Sequence, residues 1–180
     1  MRASLIVPPH VYSSLVMVAR DCLPDESCGI LAGHHHGRVE RIFPVDNIAE
    51  QPANQFRIDS RALNQHLPQI RADGLQVIGF FHSHPATPPV PSPHDITGMH
   101  DMHALHLIVS LKGSAPRLAA WRIEGARISA VDLILDDCPA PPEAESFWNE
   151  AATPAIMVGV ALIAIISLIV LSFNLLPPAP

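Results

Sequence analysis

Apolar and polar positions along this chain alternate with two periods, and the switches between them mark out its elements. From Val11 to Arg20 the apolar residues Val11, Leu15, Val16, Val18 and Ala19 have the spacing of a helix with one buried face, and Pro24 stops it soon after. Cys28-Gly29-Ile30-Leu31-Ala32-Gly33 is short, apolar and glycine-bounded, as a buried strand is. The alternating stretch Val39 to Val45 follows it across His34-His35-His36-Gly37, so the pair predicts a hairpin with a histidine-rich turn. Ser60 is placed to cap a second helix, Arg61 to Ala72, with Leu63, Leu67 and Ile70 on one face and Gly74 at its end. Pro68, inside that stretch, argues against it.

Leu75 to Phe81 is an almost unbroken apolar run with branched and aromatic residues, which predicts a strand buried on both faces that delivers His82, Ser83 and His84 at its end. The prolines between Ala86 and Pro93 make a stiff loop with little entropy to lose, and a helix is expected from Pro93 onward. Leu105 to Leu111, Arg117 to Ile123 and Ile128 to Leu135 read as three further strands. No internal repeat is present.

The two ends differ in kind. Leu5-Ile6-Val7 is stopped by Pro8 and Pro9, far short of a signal-peptide core, so the domain is expected in the cytoplasm. Pro154 to Leu176 carries no charge, and about 20 apolar residues suffice to cross a bilayer core as a helix. A buried core helix is the alternative, but a soluble domain of this size rarely encloses a helix apolar on every face, and Phe147 and Trp148 sit where interfacial aromatics belong. The expected organisation is a catalytic domain over residues 1–137, a Pro/Glu-rich linker over 138–153, a transmembrane helix over 154–176 and a short tail over 177–180.

Composition narrows the function classes. A chain of 180 residues with 48% apolar content can build one globular domain plus an appendage. The formal charge of −6, with scattered Lys and Arg, gives no electrostatic footprint for nucleic acid. Three unevenly spaced cysteines do not make a disulfide framework, and Cys28 reads as a small core residue.

The candidate chemistry centres on two histidines. In an extended strand, residues two apart point to one face, so the imidazoles of His82 and His84 can converge on one ion. Asp95 lies on the proline-stiffened return, where its carboxylate can come back to the strand end. Two His and one Asp form an open ligand set of the kind catalytic zinc uses, with the fourth position left to water. The attacking water needs a proton acceptor, and Glu26, just before a buried strand, is the candidate. Taken alone, Glu26 is more often a solvated turn residue, and Ser92-Pro93-His94-Asp95 is also what a helix start looks like. His34, His35 and His36 read as a solvated turn. His103 and His106 have the spacing of a second metal site, although surface or supporting roles are commoner for such residues.

His82-Ser83-His84-Pro85, six residues and then Ser92-Pro93-His94-Asp95 resemble the signature of the JAMM (MPN-plus, JAB-type) metalloprotease family, and Pro24 to Gly33 resembles its glutamate-bearing strand. The likeness extends over most of Leu23 to Leu111, including Asn47, and leaves out the apolar C-terminal stretch. It implies an α/β fold like that of the cytidine deaminases, a mixed sheet flanked by helices. It implies one zinc per chain on His82, His84 and Asp95, with Glu26 carrying the proton from water to the leaving amine and Ser92 hydrogen-bonding the oxyanion. The implied substrate is a protein with a ubiquitin-like or sulfur-carrier C-terminal tail, cut at an amide or isopeptide bond. A non-catalytic scaffold of the same fold and a zinc hydrolase of small amides are the alternatives. The C-terminal helix would add a membrane as partner.

Overall fold

A computed structural model describes residues 4–34, 37–98, 105–124 and 127–136 of the chain. All lie in one compact unit spanning Met1–Pro139. The elements run β1 (Ser4–Val7), α1 (Pro9–Asp21), β2 (Cys28–Gly33), β3 (Val39–Val45), α2 (Ser60–Ala72), β4 (Gln76–His84), α3 (Pro93–Gly98), β5 (Leu105–Ser110), β6 (Arg117–Glu124) and β7 (Arg127–Leu135). The strands form one sheet in the order β1-β7-β6-β5-β4-β2-β3. β4 with β5 and β1 with β7 are parallel and the other pairs are antiparallel, so the expected mixed sheet is present.

The sheet curls until its two edges meet. Ile6 bridges to Arg38 at the entry to β3, and the Ile6 amide donates to the Gly37 carbonyl at 2.9 Å. Alternation along each strand then sorts side chains to an inner and an outer face. Inside the curl, Leu31, Phe81, Leu107 and Val109 pack on Val11, Leu15 and Ala19 of α1. Outside, Ile30, Ala32, Phe43 and Phe80 pack on Ile70 of α2. β4 therefore has a core on either side, as its unbroken apolar run predicts, and this holds the strand that carries both histidines.

Two details differ from the expectations. Leu5-Ile6-Val7 is a strand, β1, whose partner β7 lies at the far end of the described domain, so no local pattern reveals the pairing. The second helix begins at Ser60, and its cap is Asp59, whose carboxylate accepts from the Arg61 amide at 3.0 Å. Pro68 sits inside the helix on its exposed side, where losing one backbone bond leaves a carbonyl that water can serve. Among the described residues no helix is long and apolar enough to cross a membrane, and the stretch Pro154 to Leu176 expected to do so lies outside them.

Gly79 marks the tightest approach on β4. A methyl group there would overlap the backbone carbonyl oxygen of Leu105 on β5, which cannot move without breaking the parallel pair. We expect Gly79→Ala to destabilise the domain by about 1–3 kcal/mol, the usual cost of overpacking. A denaturant midpoint unchanged from wild type would refute this account of the β4–β5 contact.

Candidate active site

β2 and β4 run antiparallel, and their ladder ends on Cys28 opposite His82. At that end His82 and His84 share the outer face of β4, with Nε2 atoms 3.1 Å apart. α3 starts nearby and brings Asp95 Oδ2 to 3.4 Å from each Nε2. The three side chains are almost completely buried, at 1%, 2% and 3% exposure for His82, His84 and Asp95. They are the only group of three or more ligating side chains among the described residues whose donor atoms converge within 4.8 Å. A tetrahedral zinc with bonds of about 2.0–2.2 Å sets its ligand atoms roughly 3.3–3.6 Å apart, close to the observed triangle. The donor set therefore fits zinc, and it leaves one coordination position to water or substrate.

The surroundings prepare these atoms to bind. His84 Nδ1 donates to the Pro88 carbonyl at 2.8 Å, which leaves Nε2 with its lone pair facing the triangle. The flanking carbonyls of that loop are also taken, Thr87 by the Ser110 hydroxyl at 2.6 Å and Pro89 by the Trp121 indole N–H at 2.9 Å. Three strands thus hold three consecutive carbonyls, and the prolines, which have no N–H to offer, use the acceptor they have. The ring of Phe56 stacks on His82, with centroids 4.2 Å apart and planes 18° from parallel.

Asp95 occupies a reciprocal cap. The Ser92 amide donates to Asp95 Oδ2 at 2.6 Å, and the Asp95 amide donates to the Ser92 hydroxyl oxygen at 3.2 Å. The helix-start reading of this segment is thus correct, and it is also what brings the carboxylate to the histidines. Burial by itself would raise the Asp95 carboxyl, but the neighbouring imidazoles of His82 and His84 and the hydrogen bond from the Ser92 amide outweigh it and hold the group well below the usual carboxylate range.

Glu26 is 5% exposed, and its Oε2 has no hydrogen-bond partner among the described residues. Burial is the largest influence on its carboxyl and lifts it to about 7, with His84 lowering it and Asp95 raising it. A carboxylate with a free oxygen and a pKa near neutrality is a proton acceptor suited to pH 7.

Residues 8–124 match the family of prokaryotic homologs of the JAB domain. The chain belongs to that family. It is similar to the desampylase of Pyrococcus furiosus, 32% identical over 135 residues that make up 74% of this chain and 92% of that one. It is also similar to the CysO-cysteine peptidase of Mycobacterium tuberculosis, 34% identical over 110 residues, 60% of this chain and 74% of that one. A protein from Desulfitobacterium hafniense with a solution structure is 31% identical and superposes with a TM-score of 0.68 over 73% of this chain and 92% of that one. With such relatives, this JAB domain is a JAMM-type hydrolase.

The JAB fold brings Glu26, His82, His84, Ser92 and Asp95 to one end of the β2–β4 pair. His106 lies on β5, buried against Phe80 with neither ring nitrogen bonded among the described residues, and burial lowers it to about 4. His103, proposed as its metal-binding companion, lies outside the described residues, as do His35, His36 and His100. His94 is exposed beside Gln55, with 3.4 Å between their Nε2 atoms. Sequence reading missed Phe56, Ser110 and Trp121. Only Trp121 left a signal, as an indole N–H on an apolar strand that needs an acceptor.

Two outcomes follow from this geometry. Trp121→Phe should keep the fold but loosen the loop that orients His84, weakening metal affinity by up to about tenfold in a chelator competition; unchanged affinity would show that the Pro89 contact is idle. The rate should rise with pH as Glu26 ionises, on an acid limb centred at or below about 7, because a bound cation favours the carboxylate. That limb should be missing from Glu26→Gln, and its persistence there would assign it to another group.

Proposed function

We propose that the protein is a zinc-dependent peptidase or isopeptidase that hydrolyses the amide joining the C-terminal tail of a ubiquitin-like or sulfur-carrier protein to an amine. The observation that carries this reading is the triangle of His82, His84 and Asp95 donor atoms with the Glu26 carboxylate, its Oε2 unpartnered among the described residues, beside it. The names of the relatives, a desampylase and a CysO-cysteine peptidase, support a small protein modifier or carrier as the substrate class.

A zinc ion held by the three ligands supplies Lewis-acid chemistry, activating water near neutral pH and polarising a carbonyl. The chain's own groups do the rest. Glu26 accepts a proton from the attacking water and returns it to the leaving amine, a transfer that contributes roughly 10²–10⁴-fold. The Ser92 hydroxyl oxygen accepts from the Asp95 amide, which leaves its own proton available to the oxyanion. The near-complete burial of His82, His84 and Asp95 keeps bulk water from competing for the ligand atoms. A scaffold without catalysis has no use for so complete a set, and no feature of the site favours small amides over a protein tail.

The test is to measure bound metal by mass spectrometry and cleavage of ubiquitin-like C-terminal fusions by the full chain. We expect one zinc per chain and cleavage. Glu26→Gln should keep the metal and lose activity by roughly 10²–10⁴-fold, whereas His82→Ala and Asp95→Ala should lose both. Stoichiometric zinc in either ligand variant would overturn the ligand assignment, and a fully active Glu26→Gln would overturn the mechanism.

A further inference from the structure

Glu26 presents a puzzle of positioning. A group that must take and release a proton works best with few bonds of its own, and Glu26 Oε2 has none. Its carboxylate can then be aimed only through its main chain, so the bonds of that main chain become functional.

Every backbone polar group of Glu26 and Ser27 is in fact committed. The Glu26 amide donates to the Pro52 carbonyl at 2.7 Å, and the Glu26 carbonyl accepts from Asn47 Nδ2 at 2.9 Å. The Ser27 carbonyl accepts from the Ser83 amide at 2.9 Å, and the Ser27 amide donates to the Ser83 hydroxyl at 2.8 Å. The regular β2–β4 pairing stops at Cys28 and His82, so the Ser83 side chain carries the ladder one step further, with its hydroxyl in place of a backbone carbonyl. Ser83 is fully buried between the two histidines in sequence, and strand alternation turns it to the opposite face.

Asn47 works from the other side with its whole amide. Besides the Glu26 carbonyl, Nδ2 serves the Gln55 carbonyl at 2.8 Å, while Oδ1 accepts from the Ala49 and Arg57 amides, each at 3.0 Å. The segment it ties together carries Phe56, the ring that stacks on His82. One side chain therefore joins the base's main chain to the segment that covers a ligand.

We infer that Ser83 and Asn47 are positioning residues that clamp the Glu26 main chain from two sides and so set its carboxylate beside the three ligand atoms. The inference rests on the hydrolytic reading for its catalytic consequence, but the clamp itself can be tested without turnover.

The experiment uses the full chain with Ser83→Ala, Asn47→Asp and each of these combined with Glu26→Gln. Amide hydrogen exchange is read on the metal-free protein. In Ser83→Ala the Ser27 amide should exchange at least about tenfold faster, while the amides of Gly29 to Gly33 keep their protection. Turnover should fall about 10–100-fold with KM and bound metal unchanged, the scale expected for a displaced catalytic group. In the Glu26→Gln background neither substitution should lower the residual rate further, because nothing is left to aim.

A Ser27 amide that stays protected overturns the role of Ser83. So does a loss of protection that spreads along β2, or an equal fall in rate in both backgrounds, since each marks a merely structural contact. If Ser83→Ala does not fold, Asn47→Asp decides, because it keeps the acceptor oxygen and loses every bond that Nδ2 donates, to the Glu26, Pro52 and Gln55 carbonyls; metal loss or an equal fall in both backgrounds then overturns the clamp. A wild-type chain that cleaves nothing would sink the hydrolytic reading, while the exchange result would still decide whether Ser83 holds the main chain.

Discussion

The antiparallel ladder between β2 and β4 ends with Cys28 opposite His82, and the rest of the site is laid out from that pair. A strand repeats its facing every second residue, so a register in which Cys28 meets His82 puts both imidazoles on the outer face and Ser83 on the inner one. A slip of one residue would exchange them, burying the imidazoles against α1 and turning Ser83 outward. Gly79, which allows β5 to lie close beside β4, and the apolar cores on both faces prevent that slip.

Burial gives the site its chemistry. Two imidazoles and two carboxyl groups are nearly sealed from water, where an unpaired charge is costly. His82, His84 and Asp95 share one small volume and offer their lone pairs to a cation. Glu26 stands beside them without a bond to Oε2, and burial holds its carboxyl near neutrality. The same desolvation serves both ends, since it makes the triangle attractive to a metal and the carboxylate a ready acceptor of protons. The loop of prolines completes the arrangement by turning three carbonyls toward Ser110, His84 and Trp121.

Much of this was legible in the order of residues because it depends on short-range rules. The helix over Val11 to Arg20, the strand Cys28 to Gly33, the strand feeding His82 and His84 and the start of α3 each follow from a local period or cap. The missed or displaced elements had no such local signature. β1 is three apolar residues and a serine whose partner lies at the other end of the domain, and Asp59 displaced Ser60 as a cap because both residue types serve equally well. Phe56, Asn47, Ser110 and Trp121 act through contacts with segments far away in sequence.

By itself, the order of residues determined which groups could meet at a metal, because two histidines on one strand and an aspartate in the first turn of a helix are placed by backbone geometry. It likewise determined the family, through the spacing of those residues and the glutamate before a buried strand. Only the tertiary structure decided that Glu26 is buried, that its carboxyl sits near 7, and that its main chain is held by Ser83 and Asn47. Desolvation and hydrogen bonding between distant segments are set by how the sheet curls and packs, and no spacing along the chain encodes them.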